Sequence, residues 1–106
     1  MPKYLISANY TPQGIAGVRA KGAKARVDAI SAMLEPLNGR IESFHFAFGD
    51  TDVFTVIDLP DDEAAAAATL AINSSGVVST RTTKLLTVEQ IDAALGRTVD
   101  YRPPGA

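Results

Sequence analysis

The chain has 106 residues, a net charge of −2, one histidine and no cysteine, which makes a single domain that buries roughly two-thirds of its unfolded surface without staples. Disulfides and thiolate metal sites are excluded, a lone imidazole argues against a zinc centre, and the slight acidity argues against a nucleic-acid footprint. No apolar run approaches the roughly 20 residues of a membrane span, and the first strand starts without the apolar stretch of a signal peptide, so a cytoplasmic protein with no membrane or nucleic-acid partner is expected.

Lys3 to Tyr10 alternates, with Tyr4, Ile6 and Ala8 on one side and Leu5, Ser7 and Asn9 on the other, the period of a strand. Thr11-Pro12 supplies a helix cap and a proline for the first helical position. The helix that follows carries Ile30, Met33, Leu34 and Leu37 on one face. Gly14, Gly17 and Gly22 weaken its first half, so a break is expected near Gly22, and Asn38-Gly39 ends it. Arg40 to Leu59 holds two β-prone runs around Gly49-Asp50-Thr51-Asp52, a hairpin. Pro60 stops the third strand, and Asp61-Asp62-Glu63 opens an alanine-rich helix to about Asn73, its acids placed to suit the helix dipole. Ser74-Ser75-Gly76 leads to a threonine-rich strand from Val77 to Leu86. Thr87 and Gln90 then form a capping box on a short helix stopped by Gly96. Residues 1–96 read as one domain and 97–106 as a flexible tail.

That order predicts an α+β fold of the ferredoxin-like βαββαβ kind: a four-stranded antiparallel sheet, two helices on one face, and a short C-terminal helix. With Asp50 and Thr51 as the central turn residues, Phe48 pairs with Val53, Phe46 with Thr55 and Phe44 with Ile57. That places three phenylalanines beneath the helices. The opposite face gathers Ser43, His45, Ala47, Phe54, Val56 and Asp58, too apolar for water and too polar for a dry core. A second subunit's sheet is expected across it, making a homo-dimer or higher oligomer with a partly polar cavity between the sheets.

At the hairpin the chain resembles the GYD-domain family, named for a Gly-x-Tyr-Asp signature. Gly49, Asp50, Thr51 and Asp52 stand in that pattern, followed by the apolar run Val53 to Ile57, then Asp58, Leu59, Pro60 and Asp61. The likeness covers roughly residues 3 to 95, and Thr51 departs from it where the tyrosine should stand. The resemblance implies a ferredoxin-like subunit of the dimeric α/β-barrel type and no particular chemistry.

His45 sits mid-strand on the mixed face with Asp58 diagonal to it, as a general base or a ligand's hydrogen-bond partner would. The plainer alternative is a side chain satisfied by Asp58 or by a neighbouring subunit. Asp50 and Asp52 alternate in the turn; paired carboxylates suggest acid–base work or Mg²⁺, but turn hydrogen bonding is the stronger reading. Arg19 and Arg26 fall near the stripe of Met33 and Leu37 on a continuous helix. Either the helix breaks near Gly22 or they reach toward an anionic ligand, with snorkelling to solvent as the default. Gly14 to Gly17 spells the GxxG of KH domains, rejected on strand order and charge. Arg81 on the last strand guards a sheet edge.

The candidate ligand-binding set is therefore Asn9, Arg26, His45, Asp52, Phe54 and Asp58. With no phosphate loop, dinucleotide fingerprint or nucleophile elbow, no cofactor or metal is expected and catalytic residues stay unassigned. The leading reading is an oligomeric small-molecule-binding module. A cofactor-independent monooxygenase or isomerase rests on fold analogy alone, and a sealed interface without a cavity is the third reading.

Overall fold

The computed structural model describes residues 1–106. Strand β1 (Lys3–Tyr10) runs into helix α1 (Pro12–Lys21), whose N-cap Thr11 accepts the Gly14 N–H through Oγ1 at 3.2 Å. Gly22, at φ 93°, separates α1 from α2 (Ala23–Leu34). Glycine adopts that backbone at least cost, so the break falls there. A 3-10 turn over Glu35–Leu37 and a left-handed Asn38 at φ 58° close this helical arm. Strands β2 (Arg40–Phe46) and β3 (Val53–Asp58) follow, then α3 (Asp62–Ser74), β4 (Val78–Leu85) and α4 (Val88–Leu95). Asp61 caps α3 through the Ala64 N–H at 2.8 Å. Thr87 and Gln90 cap α4 reciprocally, at 2.8 and 3.0 Å. Residues 97–106 hold no helix or strand. No helix is long and apolar enough to cross a membrane.

The four strands are antiparallel throughout, in the order β2-β3-β1-β4. Their inward positions alternate with outward ones, so Tyr4, Ile6, Ala8, Val53, Thr55, Ile57 and Val78 are all buried. Tyr4, Ile6, Ile57 and Leu59 meet Ile30 and Leu34 of α2 and Ala65 and Ala68 of α3. The alanines let α3 lie close on the sheet. A second small cluster joins Ala8, Val53 and Val78 at the β4 end. The other face carries no helix.

The hairpin register differs from the expected one by two residues. Phe46 faces Val53 and Phe44 faces Thr55, with a bulge between Ile41 and Ser43 that leaves Glu42 as the extra residue. An even shift preserves both faces, so Phe44 still packs on the core. Phe46 is 45% exposed and Phe48 entirely exposed, so the trio of buried phenylalanines does not form. The cause is tertiary. Asp52 is held by β1, donating its N–H to the Ala8 carbonyl at 3.0 Å and accepting the Tyr10 N–H on Oδ2 at 2.9 Å. Residues 47–52 must therefore form a wider connection, closed by Ala47 N–H to Asp52 carbonyl at 2.9 Å.

At the opposite end of the sheet Asp58 is 2% exposed. Lys3 Nζ reaches its Oδ1 at 2.8 Å and Arg40 Nε its Oδ2 at 2.9 Å, while Glu42 also takes Lys3 at 3.1 Å. The Lys3 ammonium, ahead of the Arg40 guanidinium, holds the Asp58 carboxyl below its ordinary 3.8. Next to this knot, Tyr4 donates its hydroxyl to Asp62 at 2.6 Å, and Lys84 pairs with the same carboxylate at 2.9 Å. Burial, and then that hydrogen bond, push the Tyr4 hydroxyl up to about 12.

Two outcomes follow from this packing. Phe44→Ala should cost about 3 kcal/mol of stability, whereas Phe48→Ala should change it by no more than about 0.5 kcal/mol. Urea denaturation measures both, and equal losses would contradict the register. Because Asp58 titrates lower folded than unfolded, its stabilisation is complete at neutral pH. It begins to fade as pH falls below 3.8 and is gone beneath the folded value. Asp58→Asn should therefore destabilise by about 1–3 kcal/mol at pH 7, with the difference from the parent shrinking over that acid range in chemical denaturation series.

Candidate functional site

The first turn of α1 is moored to the start of β4. Thr11 N–H donates to the Val77 carbonyl at 3.0 Å, and its hydroxyl points to the same oxygen at 3.3 Å. Gly14 makes the approach possible, since a Cβ there would sit 2.5 Å from that oxygen and 3.2 Å from the Tyr10 ring. At the far end of α1 the Gly22 break turns the chain. Gly22 N–H closes on the Val18 carbonyl at 2.7 Å, and its non-helical backbone, φ 93° and ψ 161°, separates α1 from α2. The two helices thus open a cleft of about 310 Å³ over the Tyr10 end of the sheet. Tyr10, Val18, Ala25, Val77 and Val78 wall it, Gly14 and Gly17 leave it room, and Gln13, Lys21 and Arg26 supply its polar groups.

Arg26 is the centre of this region. It also lines an adjoining space of about 270 Å³ between α2, α3 and the start of β4, and a narrow one of about 30 Å³ that enters the core as far as Phe44 and Ile57. Its guanidinium carbon lies 5.8 Å from the centroid of the Tyr10 ring. Such a contact contributes about 0.5–2 kcal/mol depending on desolvation. Arg26 Nε is buried without a hydrogen-bond partner, and none of the five ion pairs includes this side chain. An unpartnered buried donor costs about 1–3 kcal/mol, and more for a charged group. Nothing else in the fold leaves a buried side-chain polar atom in that condition.

The other expected site residues fall elsewhere. Asp52 belongs to the tip of the hairpin, and Asn9 on β1 contacts that tip. Asn9 donates to the Asp50 carbonyl at 2.6 Å and accepts Arg81 Nη2 at 3.3 Å, and Arg81 also reaches the Thr51 hydroxyl at 3.1 Å. Thr51, where the resembled signature has tyrosine, thus takes part in a network that fixes the turn, and Arg81 is part of it rather than a bare edge charge. Asp58 is consumed by Lys3 and Arg40, so the expected His45–Asp58 pair does not form. His45 lies on the edge strand β2, exposed, opposite Phe54, itself 40% exposed. His45 and Phe54 therefore share the uncovered sheet face, and Arg26 stands on the covered one.

Of the expected set, only Arg26 lines the cleft. Tyr10, Lys21, Gln13 and the small-residue wall were not singled out from sequence as site components. The signal was present in the glycines at 14, 17 and 22, whose meaning depends on a sheet end too distant in sequence to read. Chemically the cleft offers two cations, an amide, an aromatic face and aliphatic walls, with no carboxylate or imidazole among its lining residues. It can bind and orient a small molecule.

No curated protein and no solved structure matches this chain. The model of the GYD domain matches residues 4–95, nearly the whole chain, from β1 to the last residue of α4. With that span covered, the chain belongs to the GYD domain family.

Proposed function

We propose that this protein is a small-molecule-binding module that works as a homodimer of ferredoxin-like subunits, its sheets packed face to face in the manner of dimeric α/β barrels. The observation that carries the binding reading is the meeting of three spaces at Arg26, whose Nε has no partner within the chain. A volume of about 310 Å³ lies at the lower end of the range for small-molecule sites. The ligand site thus lies between helices and sheet, and the face bearing His45 becomes the subunit contact rather than the cavity wall.

The self-association reading draws support from two uncovered apolar surfaces. Leu5, Phe54 and Val56 stand on the helix-free face of the sheet, the first and last half-buried and Phe54 40% exposed. Helix α4 shows Val88, Ile91 and Leu95 on one stripe, Val88 and Leu95 largely exposed and Ile91 less than half so, and buries no residue. Eight residues with a good capping box still make a marginal helix in water, where isolated helices need about 12–15. The chain's radius of gyration is 17.1 Å, against about 13 Å for a compact domain of this length. A second copy packed sheet to sheet would cover the Phe54 face, and a specific interface of that kind buries about 1,200–2,000 Å² in all.

Native mass spectrometry at micromolar concentration should find a dimer. Val56→Lys, at the centre of the open face, should weaken it by about 100-fold with the circular-dichroism spectrum unchanged; a monomeric parent would refute the assembly. For the ligand, a melting-temperature screen should span organic acids, amides, quinones and nucleotides. A true ligand at 100 times its dissociation constant adds about 2.7 kcal/mol, a rise of several degrees for a domain of this size. A screen with no rise in melting temperature would count against the binding reading.

A further inference from the structure

Taking the small-molecule reading as its base, we infer that the cleft between α1, α2 and the start of β4 takes an organic monocarboxylate, its acid group on Arg26 and its apolar body along the Val18–Val77–Val78 wall. The guanidinium is the one cation of the chain with a buried, unpartnered N–H. Nε itself is closed off, but the edge formed by the two Nη groups, unpaired within the chain, matches a carboxylate in two parallel hydrogen bonds, a geometry an ammonium does not offer. The Tyr10 ring at 5.8 Å restrains the guanidinium, so little side-chain freedom is left to lose when an anion arrives.

The charge of the ligand follows from the lining. Arg26 and Lys21 face the space without an opposing carboxylate, but Lys21 is exposed at the rim and its charge is shared with water. The half-buried Arg26 balances one negative charge. A dianion such as inorganic phosphate would keep a surplus charge inside apolar walls, which is disfavoured. The body of the ligand follows from the same walls: Val18, Ala25, Ala29, Val77 and Val78 present only aliphatic carbon. Gly17 adds volume, because a Cβ at that position would meet nothing within 4 Å.

Calorimetric titration with benzoate, benzamide and inorganic phosphate tests the assignment, with the ¹⁵N-edited spectrum reporting the Arg26 Nε–H signal. Benzoate should bind the full chain and move that signal, and benzamide should bind at least tenfold more weakly. Arg26→Met should weaken benzoate at least tenfold and leave benzamide unchanged. Gly17→Leu fills the cleft without touching its charge, and on α1 it replaces a poor helix former. It should melt no lower than the parent yet bind neither aromatic probe, which keeps the test valid even if Arg26→Met folds poorly. Benzamide binding as tightly as benzoate, or benzoate indifferent to Arg26→Met, would overturn the carboxylate while leaving the small-molecule reading intact. Phosphate binding more tightly than benzoate would overturn the monoanion. Silence from benzoate alongside a neutral hit in the melting screen would refute only the ligand class; silence in both would refute the two readings together.

Discussion

The hold of β1 on Asp52 decides most of what this molecule presents to its surroundings. Through the Ala8 carbonyl and the Tyr10 N–H, one residue of the hairpin is pinned to the central strand from both its backbone and its side chain. With Asp52 pinned, Val53 must face Ala8, and every later residue of β3 inherits its side. Val53, Thr55 and Ile57 then point to the helices, and Phe54 and Val56 point away. The same parity along β1 sends Tyr4, Ile6, Ala8 and Tyr10 under the helical layer. Tyr10 therefore lies where α2 can set Arg26 over its ring, and Phe54 lies on the face that no helix of the chain covers. The cleft beside Arg26 and the open sheet face are two consequences of one register.

Helix α1 shows how the cleft is kept open. With two internal glycines it is a poor helix on its own, since each costs about 1 kcal/mol relative to alanine in a helix interior. It buries no residue. What holds it is the mooring of Thr11 to Val77 at one end and the Gly22 turn at the other. A sequence optimised only for stability would put alanine at Gly17, where space is free. The glycine at 17 leaves that space open beside the sheet end.

Much of this was legible beforehand, and the boundary has a physical cause. Signals that act within one turn of chain survived: Thr11 with Pro12, Asn38 with its left-handed backbone, Asp61, and the Thr87–Gln90 box. Alternation correctly sorted β1, and the break at Gly22 was visible as a glycine flanked by helix formers. The hairpin register was not, because a four-residue turn motif carries no trace of Ala8 and Tyr10, some 42 residues earlier. The His45–Asp58 pairing failed for the same reason. Proximity across a hairpin suggested it, but Lys3 and Arg40 compete for Asp58 with full charges at 2.8 and 2.9 Å. Arg26 was recognised as anomalous on its stripe, yet the Tyr10 ring beneath it and the space around it exist only once α1 rests on β4.

The treatment of charge across the fold sharpens what Arg26 means. Asp58, nearly inaccessible, has a cation on each oxygen; Asp62 is shared by the Tyr4 hydroxyl and Lys84; Asp52 caps a backbone N–H; Arg81 is held by Asn9 and Thr51. Asp58, the one charged residue the fold buries outright, is thus answered on both oxygens, as the cost of stranded polar groups demands, and the exposed Asp62 and Arg81 are paired as well. Arg26 alone keeps a buried side-chain donor unanswered, and it does so where three spaces beside the helical layer meet. A methionine at that position would fill the same stripe beside Met33 without the penalty. The arginine is explained if its partner is not part of the chain.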